Sequence, residues 1–135
     1  MARRPMNLSS YHVPVAGFTH AVQAPAEGTF LFVSGLTART SDGGIEAEGD
    51  PEGQARKILQ SLTAIMAEAG GTLDDVMRIV TYVVDMRHHQ AIHAVRRDFF
   101  GDEPPASTTV QVSRLYDERQ LLEIEATAII SFTAP

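Results

Sequence analysis

The segment LLEIEATAII (residues 121–130) carries two glutamates inside an otherwise apolar run. In a β-strand, side chains two residues apart point to the same side, so Glu123 and Glu125 share one face. The opposite face has the composition of a protein core and consists of Leu122, Ile124, Ala126, Ala128, Ile130 and Phe132. The face with the carboxylates is therefore expected to lie against solvent, a partner subunit or a functional site.

Other segments upstream also have the pattern of regular structure. Residues 29–35, 76–84 and 108–114 are rich in β-branched or aromatic residues and are predicted to be strands, with a further short strand at 21–24. Residues 51–69 repeat apolar side chains at helical spacing, with Asp50 as the expected N-cap and Gly70 at the end. A second helix is predicted after Asp85, ending at Phe100, and residues 72–75 resemble a capping box.

The predicted order of elements is a strand or two, then helix, strand, helix and two strands. This order predicts an α+β fold, in which a mixed sheet carries two helices on one side. At 135 residues the chain is expected to form a single domain, 1–135, with an irregular segment at 1–16.

The side of the sheet away from the helices is predicted to carry apolar side chains as well. Self-association is the simplest cover for such a surface. The strand at 108–114 has two alternating sets of side chains, and the polar set is Thr109, Gln111 and Ser113. Placing this set beside Glu123 predicts a polar site within an otherwise apolar subunit interface.

The amino-acid composition limits the classes of function that the chain can have. The chain has no cysteine, so a thiol nucleophile and a cysteine metal site are excluded. Its net charge of −6 makes a nucleic-acid partner an unfavourable interpretation. His88 and His89 are adjacent, and adjacent helical positions do not converge on a metal ion. No run approaches membrane-spanning length, so we expect a cytoplasmic protein with no membrane partner. The sequence shows no metal-ligand cluster or phosphate-binding loop, so we expect no metal or organic cofactor.

Several motifs, taken together in order, resemble the RidA/YjgF family of small trimeric proteins, best known as enamine/imine deaminases. The resemblance spans residues 17–132 and is carried by FLFVSG (30–35), QARKILQSLTAIMAEAGGTLDDV (54–76), TYVVDM (81–86), PASTTVQVSRL (105–115) and LEIEATA (122–128). It implies a chorismate mutase-like fold and a homotrimer with the sheets facing inward and clefts between subunits.

The resemblance also implies roles for individual residues. Glu123 matches the carboxylate that holds and polarises the attacking water in that family. Ser34 and Gly35 match the end of the pocket strand, and Thr109 matches a pocket wall. Without the resemblance, Glu123 would be interpreted as a structural carboxylate, and Glu125 as an exposed or paired charge at the interface.

Three positions depart from the family pattern. Ser107 stands where deaminating members have an arginine that grips the substrate carboxylate, and a hydroxyl cannot replace a guanidinium fork. Phe18 stands in place of a tyrosine, and His93 in place of an asparagine. His93 faces either the pocket or solvent. The substrate is then not the usual 2-aminoacrylate type: it lacks the carboxylate, or another arginine binds it (Arg39, Arg96 or Arg97).

Three functions are compatible with these residues. The leading hypothesis is a cofactor-independent enzyme that hydrolyses an enamine or imine to a carbonyl compound and ammonia. The alternative is a non-catalytic trimer that binds a small metabolite and acts in regulation. A ribonuclease activity is the least attractive because of the acidic charge and the lack of a suitable catalytic constellation.

Overall fold

A computed structural model of the chain describes residues 3–11, 19–24 and 27–131. Its helices and strands, in chain order, are β1 (Arg4–Met6), β2 (Ala21–Gln23), β3 (Thr29–Leu36), α1 (Pro51–Glu68), β4 (Val76–Val83), α2 (His89–Phe100), β5 (Ala106–Gln111) and β6 (Leu122–Ile130).

Among the described residues, the main sheet has four strands in the order β3-β6-β4-β5. Strand β6 is antiparallel to both of its neighbours, whereas β5 is parallel to β4 because α2 connects them as a crossover. One face of this sheet packs with α1 and α2 in a single core, which includes Ile58, Leu62, Ile92, Leu122 and Ile124. The predicted α+β fold, a mixed sheet with helices on one side, is confirmed.

Helix α1 follows from its sequence in most respects. Pro51 occupies its first turn, and the periodic side chains Ala55, Ile58, Leu59, Leu62 and Met66 are all buried. The helix ends before Gly70, whose positive φ of 87° suits glycine. Asp50 occupies the N-cap position, as predicted, although its side chain makes no capping hydrogen bond.

The other predicted ends differ by a few residues. Asp85 does accept a hydrogen bond from the backbone N–H of Arg87, but it caps a 3-10 turn (Met86–His88), which leads into α2. The capping box of Thr72 and Asp75 is present around another 3-10 turn. Strand β5 ends at Gln111 rather than at residue 114, and β6 begins at Leu122.

Part of the segment predicted to be irregular, residues 1–16, forms a strand, β1 (Arg4–Met6). Strand β1 pairs antiparallel with β2 in a small sheet of its own. Before it, the buried guanidinium of Arg3 donates hydrogen bonds to the carbonyls of Leu73, Asp74 and Val76 at 2.9–3.0 Å, and to that of Glu103. This side chain therefore fastens the start of the chain to two loops that lie far away in sequence.

No helix in the described parts of the chain combines the length and the apolar character that crossing a bilayer requires.

Candidate functional site

The sheet face opposite the helices is open and partly apolar. Phe30 and Phe32 on β3 are 53% and 76% exposed, and their rings stack at a centroid distance of 6.1 Å. The register between β3 and β6 places Phe32 opposite Thr127 and Phe30 opposite Ile129. The predicted apolar surface on the uncovered side is thus present, next to the strand that carries the glutamates.

Glu123 lies on this open face, at the start of β6. Its cross-strand neighbour is Tyr82 on β4. On the other side, β3 has an irregularity in which Val33 pairs with Ala126 and Leu36 with Ile124, so one extra residue is accommodated between them. Such a bulge redirects the chain locally.

Gly35 stands in this bulge, and its missing side chain makes room for the carboxylate. A Cβ built on Gly35 would lie 2.6 Å from Cδ and 2.9 Å from Cγ of Glu123. Contacts this short are not tolerated, so residue 35 must be glycine for Glu123 to hold its present position. Ser34, the preceding residue, is exposed.

A cavity of about 400 Å³ adjoins this carboxylate. It is lined by Gly35, Leu36, Thr37, Arg39, Ser61, Tyr116, Gln120 and Glu123. The volume suits a small metabolite. The lining combines one carboxylate, one guanidinium, hydroxyl groups and an amide, and so can hydrogen-bond a polar ligand in several directions.

The buried amide side chain of Gln120 helps to hold the loop before β6 in place. Gln120 donates a hydrogen bond to Oγ1 of Thr37 at 3.2 Å and accepts one from the backbone N–H of Asp117 at 3.0 Å. The Arg119 guanidinium bonded to Asp117 holds the pKa of that carboxyl well below its usual range. These contacts fix the loop that presents Tyr116 and Gln120 to the cavity.

Glu125 has a different environment from Glu123. Its carboxylate accepts a hydrogen bond from the hydroxyl of Tyr82. This bond, together with partial burial, raises the pKa of Tyr82. The interpretation of Glu125 as a paired charge is consistent with this contact.

A second polar cluster lies on the other face of the sheet, around Arg96 of α2. This side chain is 4% exposed, and its Nη1 donates to the hydroxyls of Thr81, Ser107 and Thr109 at 3.2–3.3 Å. Its Nη2 lies 3.3 Å from Nδ1 of His93. Burial lowers the pKa of Arg96 to about 10. The ion pairs of the described residues are formed by other arginines, namely Arg56, Arg87, Arg114 and Arg119.

The position of Thr109 corrects the sequence prediction. Strand β4 lies between β5 and β6, and Thr109 is opposite Thr81, on the helix side. Val110 is opposite Tyr82, and Tyr82 is opposite Glu123, so the set on the glutamate face is the one with Thr108 and Val110. Within one chain, Thr109 and Ser107 therefore do not lie beside Glu123.

The remaining candidates fall in different places. His93 is half-buried beside Arg96, and an arginine only donates hydrogen bonds, so this contact requires Nδ1 of His93 to be the acceptor. Arg97 is exposed on α2. Phe18 lies outside the described residues. The described residues contain no cluster of His, Asp and Glu able to hold a metal ion.

Thr37, Ser61, Tyr116 and Gln120 were not predicted to belong to the site. The polar run Tyr116–Arg119, directly before the glutamate strand, is the sequence signal that could have pointed to Tyr116 and Gln120. Ser61 belongs to α1. The periodic pattern of this helix identifies its buried side, but it does not show which polar residue of the helix lines the cavity.

The architecture defines a small α+β domain with a polar cavity, lined by one carboxylate and one guanidinium, at a strand bulge next to an open sheet face. Residues 10–130 match the family model described as Endoribonuclease L-PSP. The chain belongs to this family, which includes the RidA, YjgF and RutC proteins.

Individual relatives agree with this assignment. A RutC family protein of Pyrococcus horikoshii is 35% identical over 115 residues, covering 85% of this chain and 88% of the relative. The crystal structure of YyfB of Yersinia pestis, a protein of unknown function from the conserved Rid family, is 33% identical. It superposes with a TM-score of 0.87 over 96% of this chain and 100% of that chain.

A third relative is Rv2704 of Mycobacterium tuberculosis, a member of the YjgF/YER057c/UK114 family. It is 29% identical, with a TM-score of 0.66 over 96% of this chain and 100% of that chain. Membership of the family expected from the resemblance, and an α+β fold with a mixed sheet and two helices like that of its solved members, are thus confirmed.

Proposed function

We propose that the protein is a cofactor-independent hydrolase that converts an imine or enamine to a carbonyl compound and ammonia. The observation that supports this most directly is the placement of Glu123. Its carboxylate occupies the space left by Gly35 and lines a cavity of small-molecule size. The resemblance to the imine deaminases assigns the water-holding carboxylate to this position.

The chemistry requires little beyond a positioned base. An imine carries a positive charge when protonated, and the carboxylate of Glu123 favours that form by charge attraction. The same carboxylate can accept a proton from a water molecule as the water oxygen attacks the imine carbon. Returning that proton to the nitrogen makes ammonia the leaving group. As the C–N bond breaks, the hydroxyl group loses its proton, which ends on ammonia, so protonated imine and water give carbonyl compound and ammonium. General acid–base catalysis of this kind contributes typically 10²–10⁴-fold in rate.

The proposal includes a homotrimer, with the open sheet faces turned inward. Two stacked phenylalanines exposed on that face, Phe30 and Phe32, favour a protein cover, because exposed apolar surface is stabilised by burial. A neighbouring subunit would close the cavity beside Glu123 and exclude bulk water from it.

The test is hydrolysis of imines released by an amino acid oxidase, followed by competition with semicarbazide trapping. Active protein lowers the yield of trapped semicarbazone. We expect Glu123→Gln to reduce the rate about 10²-fold or more. Glu125→Gln is the matched control, because it removes a carboxylate from the same face and should retain most of the activity.

Equal rates for the wild type and Glu123→Gln would reject the proposed mechanism. Thermal stabilisation by metabolites without turnover of any imine would instead favour the non-catalytic, ligand-binding alternative. Ribonuclease activity is set aside for this chain, since its net charge of −6 disfavours a polyanionic substrate.

A further inference from the structure

Arg39 supplies the positive charge among the described residues that line the Glu123 cavity. It follows β3, and a short bridge between Arg39 and Ile45 holds the backbone there. Hydrogen bonds from Thr40 N–H to Gly44 O at 2.9 Å and from Glu46 N–H to Ala38 O at 2.8 Å close the same turn. The main chain that carries Arg39 is thus fixed relative to the cavity.

The guanidinium of Arg39 rests on an aromatic ring at the cavity. Its Cζ lies 5.4 Å from the ring centroid of Tyr116, which also lines the cavity. A guanidinium at this distance from an aromatic face makes a cation–π contact, which leaves its N–H groups available for an acceptor. Arg39 takes part in none of the ion pairs of the described residues, although its charge helps to lower the pKa of Asp117.

The other two candidate arginines are placed differently. Arg96 is buried on the helix side of the sheet, where hydroxyls and His93 already accept its hydrogen bonds. Arg97 is exposed on α2 and does not line the cavity. Arg39 is therefore the arginine that shares a cavity with Glu123 within one chain.

We propose that Arg39 determines substrate specificity by binding an anionic group, such as a carboxylate, of the molecule whose imine lies against Glu123. This inference rests on the proposed function. The cavity then has an acidic end for the protonated imine and a basic end for the anion, which matches a zwitterionic substrate. Arg39 follows β3, whereas Ser107 lies on β5 at the opposite edge of the sheet. Because Arg39 and Glu123 line the same cavity, a single chain supplies both the group that binds the anion and the carboxylate.

The experiment compares two imines that differ only in the carboxylate. One is the imine released from leucine by an amino acid oxidase, and the other is the imine released from isoamylamine by a flavin amine oxidase. We expect Arg39→Gln to raise KM for the first roughly tenfold, as expected for an ion pair at a partly exposed site. KM for the second should change less than about twofold.

Arg97→Gln is the matched control and should leave both KM values unchanged. Arg39→Lys keeps the charge but loses the planar stack, so its KM for the leucine-derived imine should lie between those of wild type and Arg39→Gln. An unchanged KM for that imine in Arg39→Gln, or an equal rise for both imines, would overturn the inference.

A binding measurement separates this inference from the proposed function. Calorimetric titration with 4-methyl-2-oxopentanoate, which carries the carboxylate but cannot be hydrolysed, should show about tenfold weaker binding in Arg39→Gln. If the wild type hydrolyses neither imine, the proposed function fails. The titration still decides the inference: weaker binding in Arg39→Gln upholds it, and equal binding overturns it.

Discussion

The carboxyl group of Glu123 occupies the space that a side chain at Gly35 would fill. A Cβ on residue 35 would come within 2.6 Å of Cδ of Glu123. The two residues lie on neighbouring strands, β3 and β6, at the bulge in β3. This bulge brings the backbone of Gly35 close to the carboxylate of Glu123.

Gly35→Ala should therefore displace the carboxylate while leaving the fold intact. The colliding atoms belong to the end of a flexible side chain, so Glu123 can rotate away at small cost. We expect imine hydrolysis to fall about 10²-fold, since a displaced base no longer reaches the water. Rate measurements combined with thermal melting test this prediction.

Gly44→Ala serves as the control for Gly35→Ala. A Cβ at Gly44 would meet its nearest neighbour, in an exposed turn, at 3.2 Å. Its activity should match the wild type. Full activity in Gly35→Ala would show that the position of Glu123 is not critical for the reaction.

Replacing Arg96 should weaken the attachment of α2 to the sheet. We expect Arg96→Met to lower the free energy of unfolding by about 2 kcal/mol, because hydrogen bonds from a charged donor to three hydroxyls are lost. Arg97→Gln, at an exposed neighbouring position, should change it by less than about 0.5 kcal/mol. Urea denaturation measures both values.

A stability of Arg96→Met equal to or above that of the wild type would contradict this interpretation. It would mean that burying the guanidinium costs as much as its hydrogen bonds contribute.

Placing a charge on the open sheet face should dissociate the proposed trimer. Phe32 is 76% exposed in the single chain, and Phe32→Lys would put an ammonium group into the interface. We expect a monomer by light scattering at micromolar concentration, with loss of activity. Met86→Lys, on the turn before α2, should leave the association unchanged. A wild-type protein that is itself monomeric would refute the proposed assembly.

The contribution of Asp85 to stability should depend on pH. The side chain of Arg87 and its backbone N–H both bond to this carboxylate and lower its pKa from 3.8 to about 2. Because the folded-state pKa is the lower one, the contribution to stability is present above about pH 3.8 and is lost as the pH falls towards 2. NMR titration of the carboxyl carbon should show this midpoint, and Arg87→Gln should move it upward. A midpoint near 3.8 in the wild type would contradict the assignment.

The elements with strong periodicity could be predicted from the sequence. Helix α1 has a buried stripe bounded by Pro51 and Gly70, and the alternation in β6 separated the core face from Glu123. The strand at Arg4–Met6 was missed because it is three residues long and contains Pro5, which disfavours strands. It pairs with β2 in a separate two-stranded sheet, and no local sequence pattern indicates this pairing.

The sequence did not reveal which face of β5 is turned towards the helices, and the prediction was wrong for a physical reason. A shift of one residue exchanges the two faces of a strand, and both alternating sets in residues 108–113 were compatible with a sheet. Polar residues were assumed to face away from the helices. The buried guanidinium of Arg96 reverses that rule, because it needs the hydroxyls of Ser107 and Thr109 on the helix side.

The cavity was also beyond the reach of local patterns. Arg39, Tyr116 and Glu123 come from three separate segments, and only the folded chain brings them to one cavity. The alternation of side chains and the turn residues locate Glu123 on a strand, but they do not identify its neighbours across the sheet.

The contacts of Arg3 have a practical consequence for recombinant work. Four carbonyl oxygens, from residues 73, 74, 76 and 103, each receive a hydrogen bond from this one side chain. A shortened version that begins after residue 3 would lose all four bonds together, and the loops around them would loosen. Truncations and affinity tags are therefore better placed so that the segment around Arg3 is kept whole.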